Sequence, residues 1–429
     1  MDDVPGPVPR TSVSSDKVGV YITGLGSISS LGHDYESVGR AYRERGTRIE
    51  VREMGRGRWP GAWLKPGAED RLEEFLREDD RYHELDRSVQ FALYAARQAV
   101  RQAGWQRGQQ VGVLVGSSRG ATGLFERYHS EYLKDPHGVA SSLSSPSTTL
   151  GNIATWVAQE ILSDGPASGL SSTCSTATYA LGSALAWLKA GMADRFLAGG
   201  AEAPLTPFTL AQMKALGVCA RDLTTEFPCR PCAQDAGREN TMVLGEGACI
   251  LALEPLDEQE IAQRRVRERA QQCEDALNVP AGSVLARVLG AGFCVEPIDT
   301  PTSLSEEGRS LFGAMQQALR QANLDRVDMI VTHTPGTALG DRAELRAIRD
   351  VFGSNPPALT SNKWILGHTL GAAGAFNIEY AIHLLRSLDA VPYPYLVPFE
   401  QRPCRPQTVL VNSVGFGGNA GSLVLEKAG

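Results

Sequence analysis

Short apolar runs bounded by glycine alternate along this chain with longer stretches of helical spacing. The first run, "KVGVYITGLGSISSLG", puts Val18, Val20 and Ile22 on a β-rich stretch that closes at Gly24 and Gly26. It predicts a buried strand entering a glycine turn. Residues 86–104, "DRSVQFALYAARQAVRQAG", carry apolar side chains at helical spacing and stop at glycine, which predicts a helix with a glycine cap. "QVGVLVGSS" follows as another buried strand. Strands alternating with helices predict an α/β fold on a mainly parallel sheet.

The pattern then recurs. "GEGACILALE" at 245–254 matches "GGNAGSLVLE" at 417–426, each a glycine turn leading into an alternating strand that ends in Leu-Glu. "STCSTATYALGSALAWLKAG" and "GHTLGAAGAFNIEYAIHLL" are both rich in small residues, and each begins with a chemically useful side chain. "GRSLFGAMQQALRQANL" echoes the 86–104 helix. Matches in the same order predict two related halves, 18–257 and 258–429. The second half opens with "EQEIAQRRVRERAQQCEDALNVPAGS" at 258–283, whose charge predicts a solvated surface helix and linker. Residues 1–17 have no apolar core and read as a flexible tail, not a signal peptide.

Composition narrows the function classes. Hydrophobic residues make up 42% and charged residues 21%, as in an ordinary globular protein. A net charge of -7 argues against a nucleic-acid partner. No apolar run reaches the roughly 20 residues needed to span a membrane. The eight cysteines are scattered, which predicts reduced thiols in a cytoplasmic protein. Cys229 and Cys232 form a C-x-x-C, but no second pair completes a zinc site and Pro231 between them spoils a redox motif. They read as ordinary loop cysteines, and no metal site is expected.

The candidate chemistry starts at Cys174, where small residues precede a long amphipathic helix. A cysteine at a helix N-terminus meets free N–H groups and the helix dipole, which favour a thiolate and can hold an oxyanion. By itself such a cysteine reads as packing, since buried cysteines that open a helix are common. His333 follows the apolar strand "VDMIVTH" at the glycine turn "HTPGTALGD", and His368 opens a small-residue helix in "SNKWILGHTLGAAG". Lys363 precedes His368 by about a helical turn, and Asp341 closes the turn begun at His333. His383 sits in an apolar helix face and reads as core, while His33, His83, His129 and His137 have no comparable context.

With these residues in place the chain resembles the β-ketoacyl-acyl carrier protein synthases, condensing enzymes of the thiolase-like superfamily. The resemblance rests on "ITGLGSISSLG", "STCSTA", "AGGAEAPLTPFTLAQMKALG", "LGEGACILALE", "HTPGTALGD", "SNKWILGHTLGAAG" and "NSVGFGGNAGSLVLE", in the family's order over nearly the whole chain. It implies a thiolase-like α/β fold of two similar βαβ-type halves, layered α/β/α/β/α. It implies Cys174 as acyl-accepting nucleophile, and His333 and His368 as the groups that bind the malonyl thioester, assist decarboxylation and stabilise the enolate. Lys363 and Asp341 would be supporting residues. Phe416 would gate the site and complete an oxyanion hole with the Cys174 backbone. Thr337, Gly415 and Gly417 would contact substrate, and the acyl chain would lie in an apolar tunnel. No tightly bound cofactor is implied: phosphopantetheine arrives on the acyl carrier protein, the expected partner. A dimer is implied, with an identical or a related ketosynthase-like subunit.

The chain also departs from the family pattern. Pro335 in "HTPGT" replaces a threonine that usually contacts pantetheine, "RPCAQDAGRENTMVLGEG" is longer than usual and lacks its phenylalanines, and "GFGGNAGS" replaces G-F-G-G-x-N-A. These changes cluster at the expected substrate entrance and imply an unusual acyl group or partner in a specialised polyketide, polyene or fatty-acid pathway. Rival readings are an acyltransferase of the same fold without condensation, a thiolase, and a non-catalytic chain-length-factor-like subunit. The arginine-rich stretch 40–58 is a candidate carrier-docking patch, though a solvated face explains it better.

Overall fold

Ten strands hydrogen-bond into one mixed sheet that is built twice over. They are β1 Gly19–Ser29, β2 Gly112–Gly116, β3 Ala167–Ser168, β4 Phe196–Glu202, β5 Gly247–Leu256, β6 Ala286–Val295, β7 Met329–Val331, β8 Ala358–Thr360, β9 Thr408–Gly415 and β10 Asn419–Lys427. The order is β8-β7-β9-β10-β6-β1-β5-β4-β2-β3. Counted outward from the β1–β6 joint, each half reads first, fifth, fourth, second, third. The joint itself is short: Val20, Tyr21 and Ile22 pair with Val288, Arg287 and Ala286. This computed structural model describes residues 18–54, 57–135, 137–271, 277–298, 300, 304–402 and 404–428. The tail at 1–17, residues 272–276 of the charged segment, and Cys273 lie outside them.

Six helices matter for the site: α1 Arg87–Ala103, α2 Thr176–Lys189, α3 Pro207–Ala215, α4 Arg309–Ala322, α5 Ala338–Phe352 and α6 Ala373–Arg386. α1 covers β1, β5 and β4 on one outer face, and α4 covers β6, β10 and β9 on the other. α2 and α6 pack on each other and touch strands of both halves, so they form the middle layer of an α/β/α/β/α stack. Every residue of α6 from Ala373 to Leu385 is buried, as befits a helix enclosed on all sides.

Two sequence expectations change. The sheet is mixed: β2, β3 and β4 run parallel, as do β7, β8 and β9, but the remaining pairs are antiparallel. β9 and β10 are joined by three residues, too few for a parallel crossover. Gly24 and Gly26 also do not form a turn, because β1 continues to Ser29. They are glycines because α1 lies against them: a Cβ would stand 2.2 Å from the Ala99 carbonyl oxygen at Gly24, and 2.0 Å from that of Ala95 at Gly26. Gly290 and Gly292 of β6 meet α4 in the same way, 2.4 Å from Ala318 O and 2.0 Å from Ala314 O. The α1 helix forms as predicted, with Asp86 accepting from Ser88 N at its start and Gly104 left-handed at its end.

Glu258–Ala270 is a helix whose one buried residue is Ile261, consistent with a solvated surface element. In the 40–58 stretch, Arg40, Arg48 and Arg52 pair with Glu36, Glu44 and Glu50, and seven arginines against three glutamates leave that stretch net positive. No described helix is long and apolar enough to cross a membrane.

Candidate active site

Cys174 is held on a strained turn just ahead of α2. Thr173 before it has φ +50°, a conformation rarely kept by a β-branched residue unless its surroundings enforce it. The enforcement is visible. Ser172 N donates to Thr176 Oγ1 at 2.8 Å, Thr176 Oγ1 donates to Thr173 O at 2.6 Å, and Ser175 Oγ donates to Ser172 O at 2.8 Å. The β9–β10 turn then clamps the other side. Thr173 Oγ1 donates to Phe416 O at 3.0 Å, Asn419 Nδ2 to the same oxygen at 3.1 Å, and Ser175 Oγ bonds Asn419 Oδ1. The shortened "GFGGNAGS" thus brings its asparagine onto the nucleophile turn. A Cβ on Gly415 would lie 1.9 Å from Thr173 Oγ1 and 2.9 Å from Cys174 N, so the close approach requires glycine.

The Cys174 thiol is pushed up to about 12 by burial and then by the Glu202 carboxylate. Lys363 and the N–H groups of Cys174 and Phe416 act in the opposite direction. The expectation of a resting thiolate is therefore reversed: burial outweighs the helix terminus. The N–H groups of Cys174 and Phe416 lie close enough to act on the thiol, and the oxyanion would form on the oxygen of the carbonyl that the sulfur attacks.

His333 lies two residues beyond β7. Its backbone N and that of Thr334 donate to the two Glu344 oxygens, at 3.0 and 2.8 Å, and Asn412 Nδ2 donates to Glu344 Oε1 at 3.0 Å. His368 does not open α6 directly. It follows the short helix Lys363–Leu366 and Gly367 (φ +73°), with a 3-10 turn, Leu370–Ala372, before α6 begins. His368 N donates to Val243 O at 2.7 Å and its carbonyl accepts from Gly245 N at 3.0 Å. Both histidines are buried, each with Nδ1 lacking a hydrogen-bond partner among the described residues. Burial, reinforced by Lys363, pushes His368 down to about 3; burial, His368 and Lys363 hold His333 well below the usual histidine range. Both rings are neutral near pH 7, so each offers one N–H.

Lys363 reaches neither imidazole by a hydrogen bond. Its Nζ donates to Asn377 Oδ1 at 2.6 Å and Asn362 Oδ1 at 3.3 Å, and burial lowers it to about 8. Asn377 continues to the carbonyls of Thr332 and Asn412 at 3.3 and 3.1 Å, so Lys363 braces the strand ends that carry His333. Asp341 accepts from Cys232 N at 2.7 Å and Gly336 N at 3.1 Å, and fastens the "RPC" segment to the turn after His333. Burial raises it to about 7.

A cavity of about 280 Å³ brings together Cys174, His333, His368, Thr337, Gly415 and Phe416, with Pro335 at its edge. Lys363, Asp341 and Gly417 are not among the described residues that line it. Much of the lining is apolar, including Met213, Met242 and Val414, but Arg119 is there too, against the expectation of a wholly apolar tunnel. Cys229 and Cys232 are buried, unpaired thiols. Among the described residues no group of three or more His, Cys, Asp or Glu could hold a metal ion. Sequence reasoning missed Glu344, Asn377, Asn412, Glu202 and Arg119. Glu344 in "DRAELRAI" reads as one more charge on an amphipathic helix. Arg119 did leave a signal, a lone cation directly after a buried strand in "GSSRG".

Comparison with known proteins agrees with this geometry. The Beta-ketoacyl synthase N-terminal domain matches residues 18–259 and the Beta-ketoacyl synthase C-terminal domain residues 285–393. The 3-oxoacyl-(acyl-carrier-protein) synthase 2 of Staphylococcus aureus (strain MRSA252) is 28% identical over 442 residues, covering 96% of this chain and 99% of that protein. The ishigamide ketosynthase/chain length factor has the same fold, with TM-score 0.79, 24% identity, and coverage of 96% of this chain and 100% of that one. So does the AntDE:AntF complex, described as a type II PKS acyl-carrier protein with its ketosynthase, with TM-score 0.79, 23% identity and the same coverage. The chain belongs to the beta-ketoacyl synthase family, the condensing acyltransferases that extend an acyl chain by a carbon–carbon bond.

Proposed function

We propose that Cys174 accepts an acyl group from an acyl carrier protein and that the chain condenses it with malonyl–acyl carrier protein. One observation carries this reading: a thiol flanked by two backbone N–H groups shares one buried cavity with two neutral imidazoles. In the first step the Cys174 sulfur attacks the acyl thioester carbonyl. The N–H groups of Cys174 and Phe416 hold the oxyanion, and the carrier thiol departs with the proton. The malonyl thioester then places its carbonyl oxygen on the N–H groups of His333 and His368. Carbon dioxide leaves, and the electron pair of the broken bond spreads onto that oxygen as an enolate. Neutral donors stabilise this charge without being able to neutralise the substrate carboxylate beforehand. The enolate carbon attacks the acyl group, a carbon–carbon bond forms, and the Cys174 thiolate leaves and is reprotonated.

Phosphopantetheine comes with the carrier as part of the substrate. Thr337 and Pro335 line its approach, with Gly415 and Gly417 shaping the turn at Phe416. Pro335 offers no hydroxyl where the family has threonine, which supports an unusual acyl group or carrier from a specialised polyketide, polyene or fatty-acid pathway. Lys363 and Asp341 act as positioning residues. The chain works in the cytoplasm as a dimer, with an identical copy or a related ketosynthase-like subunit. The test supplies acyl- and malonyl-carrier protein and measures carbon dioxide and β-ketoacyl product. Acylation without carbon dioxide would identify an acyltransferase, and no acylation at all a partner subunit.

A further inference from the structure

Among the described residues lining the cavity beside Cys174, Arg119 alone carries a fixed charge. It follows β2, in the first half of the molecule, whereas Thr337 and Pro335 come from the second. Its neighbour Ser118 also lines the cavity and donates, through N and Oγ, to Glu202. Arg119 Nη2 donates to the neutral amide oxygen of Gln212 on α3, whose next residue, Met213, forms part of the same wall. The Arg119 Nε is buried and has no hydrogen-bond partner among the described residues. A guanidinium has five donors, and a buried donor left without a partner is unfavourable. Such a group set among Met213, Leu370 and Val414 gains nothing from a plain alkyl chain and gains most from a carboxylate.

We propose that Arg119, oriented by Gln212, is a specificity-determining residue that selects acyl groups carrying a carboxylate away from the thioester. This inference rests on Cys174 being the acyl acceptor. Gln212 fixes one edge of the guanidinium, and Arg119 itself forms part of the cavity lining that an acyl chain on Cys174 would meet. The same wall disfavours methyl-ended chains of equal length, which would desolvate the cation without replacing its hydrogen bonds.

The test measures acylation of Cys174 by intact mass, pairing each ω-carboxyacyl thioester with the methyl-ended thioester of the same length. Both are carried on N-acetylcysteamine, which has no phosphate, and then on carrier protein. The wild type is expected to favour the carboxylate member about tenfold or more at one or more lengths, the worth of a charge-assisted hydrogen bond. Arg119→Leu loses or reverses that preference, and Arg119→Lys keeps part of it, with thermal midpoints showing that each variant is folded. The same preference in Arg119→Leu, or methyl-ended chains winning at every length in the wild type, overturns the inference. A loss in Arg119→Leu that is uniform over all acyl groups and confined to carrier-borne thioesters places Arg119 on the pantetheine phosphate and also overturns it. If methyl-ended thioesters load and condense without any carboxylate preference, only this inference falls. If nothing acylates Cys174, the condensing assignment falls with it.

Discussion

The rings of His333 and His368 stand edge to face, their centroids 5.1 Å apart and their planes at 86°. Neither could be protonated without placing a cation against its neighbour and near Lys363, in a site where burial already disfavours charge. The pair therefore acts as two neutral donors, and the enolate is their natural partner.

That neutrality sets a pH profile. The Cys174→Gln variant, which cannot be acylated, is expected to decarboxylate malonyl thioester from about pH 7 down to about 5 without the loss that charging an imidazole would cause. An Asp341→Asn background removes the carboxyl, raised to about 7, that titrates in the same window. An ordinary histidine would charge across that window, whereas His368 is held near 3. Carbon dioxide release against pH checks this, and a fall centred near the usual histidine value would contradict it.

Removing either ring should be severe. His333→Ala and His368→Ala are each expected to slow condensation by about 10²–10³-fold, the typical effect of losing one preorganised donor. Acyl loading should survive in both. Condensation rates left intact in both variants would refute the roles given to the histidines.

The thiol makes a separate prediction. With Cys174 at about 12, the thiolate fraction grows roughly tenfold per pH unit throughout the neutral and mildly alkaline range. Iodoacetamide alkylation followed by mass spectrometry should climb without a plateau from pH 7 to pH 10. Cys174→Ala should abolish acyl loading. A plateau near pH 7 would mean that the helix terminus overcomes burial after all.

Two glycines of one turn should behave differently. Gly415→Ala drives a Cβ into Thr173 Oγ1 and towards Cys174 N, so it should displace the nucleophile turn, cut acylation by more than tenfold and destabilise by about 1–3 kcal/mol. Gly417 has φ +90° and its nearest contact would be 3.7 Å away. Gly417→Ala should therefore cost about 1 kcal/mol of backbone strain with a smaller effect on acylation. Urea midpoints and loading rates together separate the two.

Glu344→Gln tests the support beneath His333. The carboxylate accepts from His333 N, Thr334 N and Asn412 Nδ2, whereas a glutamine amide must turn an N–H toward at least one of these donors. We expect destabilisation of about 2–3 kcal/mol in urea unfolding, together with reduced condensation. Unchanged stability would refute the role of Glu344 as the acceptor that holds these three N–H donors.

Much of the chain declared itself locally. The α1 helix, the strand before His333 and the duplicated strand after each glycine turn follow from periodicity and caps, which depend on neighbours a few residues apart. The resemblance carried by "STCSTA", "HTPGTALGD" and "SNKWILGHTLGAAG" pointed to Cys174, His333 and His368 as one set. The misreadings share a cause. Gly24 and Gly26 resemble a turn in sequence because what excludes their side chains is a helix about 70 positions away. The helix that follows Cys174 suggests a thiolate, whereas the burial that opposes it is a property of the packed core. Glu344, Asn377 and Arg119 carry no local mark of their partners: their roles arise from hydrogen bonds and cavity walls made between distant segments. Those contacts exist once the two halves close around α2 and α6, and not before.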